Sequence, residues 1–260
     1  MAIDVSKPSI ARMYNFFLGG NENFAVDREA CRELLLAAPS TREICQINRL
    51  FLKRAVHHLA ADLKIRQFID HGAGLPAQDN VHQVAQAADR EARVVYIDND
   101  PMVVAQGRLL LDENEQTAFL AEDIRRTEAI WRSEKVTRLI SCNEPVAALF
   151  VSVLHCLKRK DDPWKLIRDV TRRLPSGSCV VICQMASEDT GARARLNEYL
   201  GGVDGRWGEV RSFTDVERFF DGLEPIGEIG EVSRWRPDIY SGVRQTSWEW
   251  VAYGGVAQVP

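Results

Sequence analysis

The chain has 260 residues, 45% of them hydrophobic and 27% charged, with 33 basic against 37 acidic side chains. That composition excludes disordered and collagen-like classes, and a chain this long buries roughly 70–75% of its extended surface without disulfide or metal staples. A net charge of −4 argues against bulk polyanion binding.

The longest apolar run is about ten residues, against the ~20 that a membrane-spanning helix needs. The N-terminus has no apolar stretch behind a basic start, so no secretory leader is expected. Six cysteines (Cys31, Cys45, Cys142, Cys156, Cys179, Cys183) form no C-x-x-C pair. They read as small core residues in a reducing, cytoplasmic compartment, with no metal site.

In chain order, residues 8–18 read as a short helix stopped by Gly19-Gly20. A second helix covers about 26–37 and ends at Pro39. A third, 41–62, carries Ile44, Ile47, Phe51, Ala55 and Leu59 along one face. From residue 66 the rhythm becomes strand, loop, helix. RQFID is a strand, HGAGLPAQ a turn, and Asp79 the expected N-cap of the next helix. Strands follow at 92–98, 117–123, 145–154 and 178–187, with helices at 101–111 and after Asp161-Asp162-Pro163. Thr214 to Glu217 reads as a capping box. The segments around Trp235 and around Trp248 and Trp250 are expected to close the chain as an antiparallel pair. The fold class is therefore α/β: a doubly wound, mostly parallel sheet behind an N-terminal helical extension.

Ligands bind such sheets at the carboxyl ends of the strands, at the switch in strand order. There the first loop reads Asp70-His71-Gly72-Ala73-Gly74, half of a G-x-G-x-x-G, since Ala77 holds the third place. Alone it is a weak signal; a glycine-bearing tight turn is the plain alternative. Asp98 and Asp123 end the next two strands, and three acids at successive strand ends favour a nucleoside site over core packing. Leu75-Pro76 removes a backbone donor where a pyrophosphate would need one. S-adenosylmethionine (AdoMet), a nucleoside with a sulfonium and no phosphate, fits better than NAD(P).

FIDHGAGLP (68–76) is similar to the first motif of class I AdoMet-dependent methyltransferases. More widely, the chain resembles an actinobacterial AdoMet-methyltransferase family first catalogued as a domain of unknown function. The resemblance spans ARMYNFFLGGNENFAVDREA (11–30), Asn48-Arg49 with FLKRAV, NVHQVAQ (80–86) and VVYIDNDPMVVAQGRLLL (94–111). AEDIR, VSVLHCL, RWRPD and YGGV complete it. It implies a seven-stranded methyltransferase sheet, a domain over 63–260, and residues 1–62 as an extension lidding the pocket. By the same resemblance Gly72 and Gly74 line the methionine end, Asp98 holds the ribose, Asn99 the adenine edge, and Asp123 and Ile124 border the adenine. Val151 and Ser152 face the sulfonium, with Tyr14, Gly19, Gly20 and Asn23 near the cofactor. His71 stands where the family's loop is expected to be apolar, and either perturbs the site or points away.

Arg49, His155 and the triplet Lys158-Arg159-Lys160 each have a functional and a structural reading. Arg49 is a candidate clamp for the cofactor carboxylate; the alternative is a solvated face, since Arg49, Lys53 and His57 recur every four residues. His155 is a candidate general base at the acceptor side, or a histidine holding a loop. Lys158-Arg159-Lys160 is too short, and too close to Asp161-Asp162, to read as a nucleic-acid patch. The expected function is AdoMet-dependent methyl transfer to a small-molecule or protein acceptor. The alternative is a protein that binds AdoMet or its demethylated product, AdoHcy, without transfer; an NAD(P)-dependent oxidoreductase is less favoured.

Overall fold

The structure, a computed structural model, describes residues 3–202, 208–236 and 243–260. Three helices lead: α1 (Ile10–Phe17), α2 (Ala25–Ala37) and α3 (Thr41–Ala61). Then strands and helices alternate: β1 (Gln67–His71), α4 (Val81–Ala88), β2 (Arg93–Asp98), α5 (Pro101–Leu110), β3 (Thr117–Ala121). Two short helices, α6 (Thr127–Arg132) and α7 (Glu134–Leu139), precede β4 (Ala147–Val151), α8 (Pro163–Thr171), β5 (Cys179–Ala186) and α9 (Thr190–Gly202). The chain closes through α10 (Phe213–Glu217), β6 (Glu224–Pro225), β7 (Gly230–Glu231) and β8 (Val251–Gln258).

The sheet order is β3-β2-β1-β4-β5-β8-β6, with β7 also on β8. The first five strands are parallel; β8 lies antiparallel to β5, with Val181 facing Val256. Alternate residues feed two cores. Phe68, Val94, Tyr96, Leu149 and Val181 face α3 on one side, and Ile69, Val95, Ile97, Phe150 and Ile182 face the other. Burial on both faces explains why these strands read as continuous apolar runs. Order reverses between β1 and β4, which opens a crevice at their carboxyl ends.

The N-terminal helices belong to the α3-side core through Met13, Phe17, Cys31, Leu34 and Phe51. A buried ion pair, Arg12 Nε to Asp27 Oδ2 at 2.8 Å, joins α1 to α2. Asp27 also accepts the N–H groups of Ser9 and Phe24, so the buried carboxylate is fully hydrogen-bonded, which such a charge requires.

Several boundaries differ from expectation. Asn80, not Asp79, caps α4: Asn80 lies in extended backbone with a reciprocal bond to Gln83, while Asp79 has φ of 57°. Ser212 caps α10 by accepting the Asp215 N–H, in place of a box at Thr214. The fourth strand stops at Val151 because Ser152 takes φ of 61° and the chain turns into a 3-10 turn, Leu154–Cys156.

The closing hairpin is also corrected. Trp235 is no strand residue. It packs edge-on against Phe51 (5.5 Å, 87°) and donates its indole N–H to Ile226 O, while Arg54 holds the carbonyls of Trp235 and Val232. The partners of β8 are instead β6 and β7, two-residue strands that share the expected last position and give eight strands in place of seven. Trp248 and Trp250 precede β8, the former exposed, the latter buried. The last two residues of RWRPD lie outside the described residues.

Candidate active site

The loop after β1 is set by backbone geometry. Gly72 and Ala73 both donate to Ile97 O, at 2.8 and 3.0 Å, which folds the loop over the end of β2. Gly72 has φ of 90°, and a Cβ there would sit 2.5 Å from Val153 Cγ2. Gly74 has φ of 66°, and a Cβ there would meet nothing within 4 Å. One glycine lets the loop close on β4, and the other borders open space at the carboxyl edge. Gly72→Ala is expected to cost about 1–3 kcal/mol, since neither the φ nor Val153 accommodates a methyl. Urea unfolding measures it, and a loss below about 0.5 kcal/mol would show that the loop yields freely.

Asp98 organises this edge. Its Oδ2 accepts the Gly74 N–H at 2.9 Å and its Oδ1 the Asp100 N–H at 2.9 Å. Burial raises its pKa to about 6 in spite of these donors. Asp70 lies on the same sheet face, 5% exposed. Burial raises its pKa to about 7; the Arg49 guanidinium opposes the shift and the Asp98 charge adds to it. Two carboxylates thus stand close to neutrality in a site that would welcome a cation. Asn99 is exposed at the rim beside them.

Alternation turns His71 to the opposite face, where it is buried and stacked on Phe150 (4.2 Å, 13°). Burial pushes its pKa down to about 4, so it packs as a neutral ring pointing away from Asp70. Arg49 donates to Gln78 O and Asp79 O at 2.9 and 3.1 Å, and Lys53 pairs with Asp79 at 2.6 Å. The four-residue spacing on α3 therefore serves to staple the loop before α4.

At the next strand end, the Asp123 carboxylate is forked by Arg125, whose backbone N–H also bonds it at 2.9 Å. Burial pulls its pKa up, but Arg125 outweighs that and holds it below the ordinary value. Ile124 is buried beside it in the lower core. Beyond β4, the Ser152 N–H donates to Cys183 O at 2.7 Å, anchoring Val151-Ser152. Cys156 shares the Asp98 neighbourhood, and its thiol is pushed up to about 12, chiefly by burial with the Asp98 charge adding.

His155 lies inside the wall at 4% exposure, its pKa lowered to about 4 by burial and by Arg211. Arg211, which sequence reasoning passed over, is fully buried and holds this turn through Leu154 O (3.0 Å) and Leu157 O (2.6 Å), its guanidinium over Trp164 and Phe219. No local pattern marks it; the two carbonyls it holds lie more than fifty residues away. In the basic triplet, Arg159 pairs with Asp215 and Glu209, a structural use.

The N-terminal extension is tied to the start of α5 and its first turns. Ser9 Oγ donates to Asp100 Oδ2 at 2.7 Å, and Gln106 of α5 donates to Glu22 at 2.7 Å. Between them run Gly19, Gly20 and Asn23. Asn23 Nδ2 donates to Asn15 Oδ1 and Gly20 O, and its backbone carbonyl accepts from Arg28. Tyr14, below this loop, donates to Cys45 O at 3.1 Å and accepts from Asn48 Nδ2 at 2.8 Å; burial pushes its hydroxyl pKa well up.

Comparison with known proteins agrees with this geometry. The S-adenosyl methyltransferase family matches residues 1–260. A DUF574 family protein from Streptomyces avermitilis MA-4680 superposes with a TM-score of 0.90 at 30% identity, covering 100% of both chains. A candidate methyltransferase from Thermobifida fusca YX gives 0.89 at 34% identity, over 98% of this chain and 96% of its own. The plantazolicin methyltransferase BamL, solved with AdoHcy (SAH), shares the fold alone, with a TM-score of 0.53 at 10% identity over 96% of each chain. No curated protein matches the sequence. The class I sheet, the acid-lined carboxyl edge and the match over the whole length agree, and the chain belongs to the S-adenosyl methyltransferase family, as an enzyme that takes its methyl group from AdoMet.

Proposed function

We propose that AdoMet lies across the carboxyl ends of β1, β2 and β3, and that the enzyme methylates a small molecule entering beneath the 18–24 loop. The observation that carries this reading is the Asp98 carboxylate, held by the Gly74 N–H next to open space. Bound AdoMet supplies an electrophilic methyl on its sulfonium. Asp98 receives both ribose hydroxyls, Asn99 borders the adenine edge, and Asp123 and Ile124 border the base. Gly72 and Gly74 let the methionine end approach the backbone, and Asp70 places negative charge near the cation. Val151 and Ser152 face the sulfonium, while Tyr14, Gly19, Gly20 and Asn23 close the pocket from above. On this reading residues 1–62 act as the roof and 63–260 as the catalytic body.

The roof favours a small acceptor over a protein, since Ser9–Asp100 and Glu22–Gln106 cross the edge. Methyl transfer is an in-line displacement that gains chiefly from positioning. His155 is neutral at physiological pH, the form that accepts a proton, and its burial beside Arg211 makes it a weak base. We place the protein in the cytoplasm. Its six cysteines are free, and no described helix is long and apolar enough to cross a membrane.

Arg49 carries a separate expectation. Its guanidinium faces the loop carbonyls with donors to spare, and a carboxylate in reach would gain charge-assisted bonds. Arg49→Ala is expected to weaken AdoMet binding about tenfold, roughly one charged hydrogen bond; unchanged affinity by calorimetry would remove Arg49 from the site. The reading as a whole is tested by calorimetry with AdoMet, AdoHcy and NAD(H), followed by labelled-methyl transfer to pooled small metabolites and to protein. Binding of the first two alone, with label recovered in the small-molecule pool, supports it. Failure to bind AdoHcy overturns it.

A further inference from the structure

One buried atom above the carboxyl edge has no partner. Asn48, on α3, is 3% exposed. Its Nδ2 faces Tyr14 Oη at 2.8 Å, and Tyr14 Oη faces Cys45 O at 3.1 Å. A phenol has one proton; spent on Cys45 O, it makes the Asn48 atom at 2.8 Å the amide nitrogen. Asn48 Oδ1 is then turned away from Tyr14, buried, and without a hydrogen-bond donor. Such an oxygen is costly to leave dry, and in a binding site it marks where a ligand donor belongs.

The surroundings say which donor. Tyr14 Oη keeps one acceptor lone pair beside Asn48, so the pair offers acceptors to an incoming group. Tyr14 also lies within electrostatic reach of Cys183 on β5 and of Arg49, the residue next to Asn48. Arg49 in turn acts on Asp70. An acceptor and a guanidinium at consecutive positions, above a buried carboxylate, match the two charged ends of an α-amino acid.

We propose that Asn48 Oδ1, with Tyr14 Oη, receives the α-ammonium of the cofactor's methionine end. This rests on the reading that the edge holds AdoMet. It assigns Asn48 a binding role and makes α3 the element that reads the amino acid as such.

Calorimetry with three probes tests it: AdoHcy, the analogue of AdoHcy with hydrogen in place of the α-ammonium, and 5′-methylthioadenosine, which lacks the amino acid. The wild-type protein is expected to bind AdoHcy about tenfold or more tighter than the deaminated analogue. Asn48→Leu, similar in volume and leaving Tyr14 its bond to Cys45, is expected to bring the two within about threefold, with methylthioadenosine unchanged. Asn48→Asp, which keeps an acceptor at this position, is expected to retain the preference. Should Asn48→Leu unfold, Tyr14→Phe supplies a second reading by removing one acceptor and narrowing the ratio. An undiminished ratio in Asn48→Leu, or no preference in the wild type, overturns the proposal. Wild-type protein that binds none of the probes overturns the cofactor placement instead.

Discussion

Asp98→Ala is expected to weaken AdoHcy binding a hundredfold or more while the protein still folds. The carboxylate has two tasks. It would accept both ribose hydroxyls, two bonds to a charged acceptor worth about 1.5–3 kcal/mol each. It also accepts the N–H groups of Gly74 and Asp100, which hold the glycine loop and the start of α5 at their present separation. Alanine removes both, so the loss exceeds one hydrogen bond. Folding is spared because Asp98 contributes no apolar contact to either core, and its removal relieves repulsion on the buried Asp70. Asp98→Asn, which keeps one acceptor oxygen, is expected to lose less. Calorimetry beside a thermal melt separates the two effects; a loss under about fivefold would show that the ribose is held elsewhere.

Cofactor affinity is also expected to fall by roughly a hundredfold or more between pH 8 and pH 5. Each carboxylate that must be ionised to bind costs up to about tenfold per pH unit below its pKa. In the free protein burial raises Asp70 to about 7 and Asp98 to about 6, well above the ordinary carboxylate range. A bound sulfonium and hydroxyl donors favour the ionised forms, so binding at pH 7 releases protons. Calorimetry in two buffers of different ionisation enthalpy reads that release directly.

The free protein's stability moves in the opposite direction. With folded pKa values above unfolded ones, the native state holds more protons between about pH 4 and pH 7. That contribution is complete below the unfolded pKa and is lost as pH rises through 6 and 7. Saturating AdoHcy should therefore stabilise most at alkaline pH. Asp70→Asn is expected to erase the upper step. His71 and His155, lowered to about 4 by burial, contribute with the opposite sign between about pH 4 and 6.5, so the Asp70 step is read as the difference between wild type and Asp70→Asn. An affinity flat from pH 5 to 8 would show that neither carboxylate meets the cofactor.

Much of this site was legible locally. The strand-ending acids Asp70, Asp98 and Asp123, and the glycine loop between them, follow from a doubly wound rhythm. That rhythm rests on side-chain periodicity, which is a near-neighbour property. The free cysteines were readable in the same way. Even the departure at His71 resolves by strand alternation: Asp70 faces one core and His71 the other.

What stayed hidden depends on residues far apart in the chain. The expected closing antiparallel pair forms, but its first strand lies ahead of Trp235, which packs instead against Phe51 and Arg54 on α3 and leaves two dipeptide strands to pair with β8. Arg211 has no motif, yet it holds the turn that carries His155. The latch from Ser9 to Asp100 spans 91 positions, and Tyr14 meets Asn48 across 34.

The sequence by itself determined the alternation of strands and helices and the placing of acids at or just beyond the carboxyl ends of β1, β2 and β3, because backbone propensity and apolar period act over a few residues. The tertiary structure alone decided how the N-terminal segment is fastened to α5, which carboxylates are raised toward neutrality and which buried amide is left without a donor. Those properties come from desolvation and hydrogen-bond pairing, and both are set by whichever distant segments the folded chain brings together.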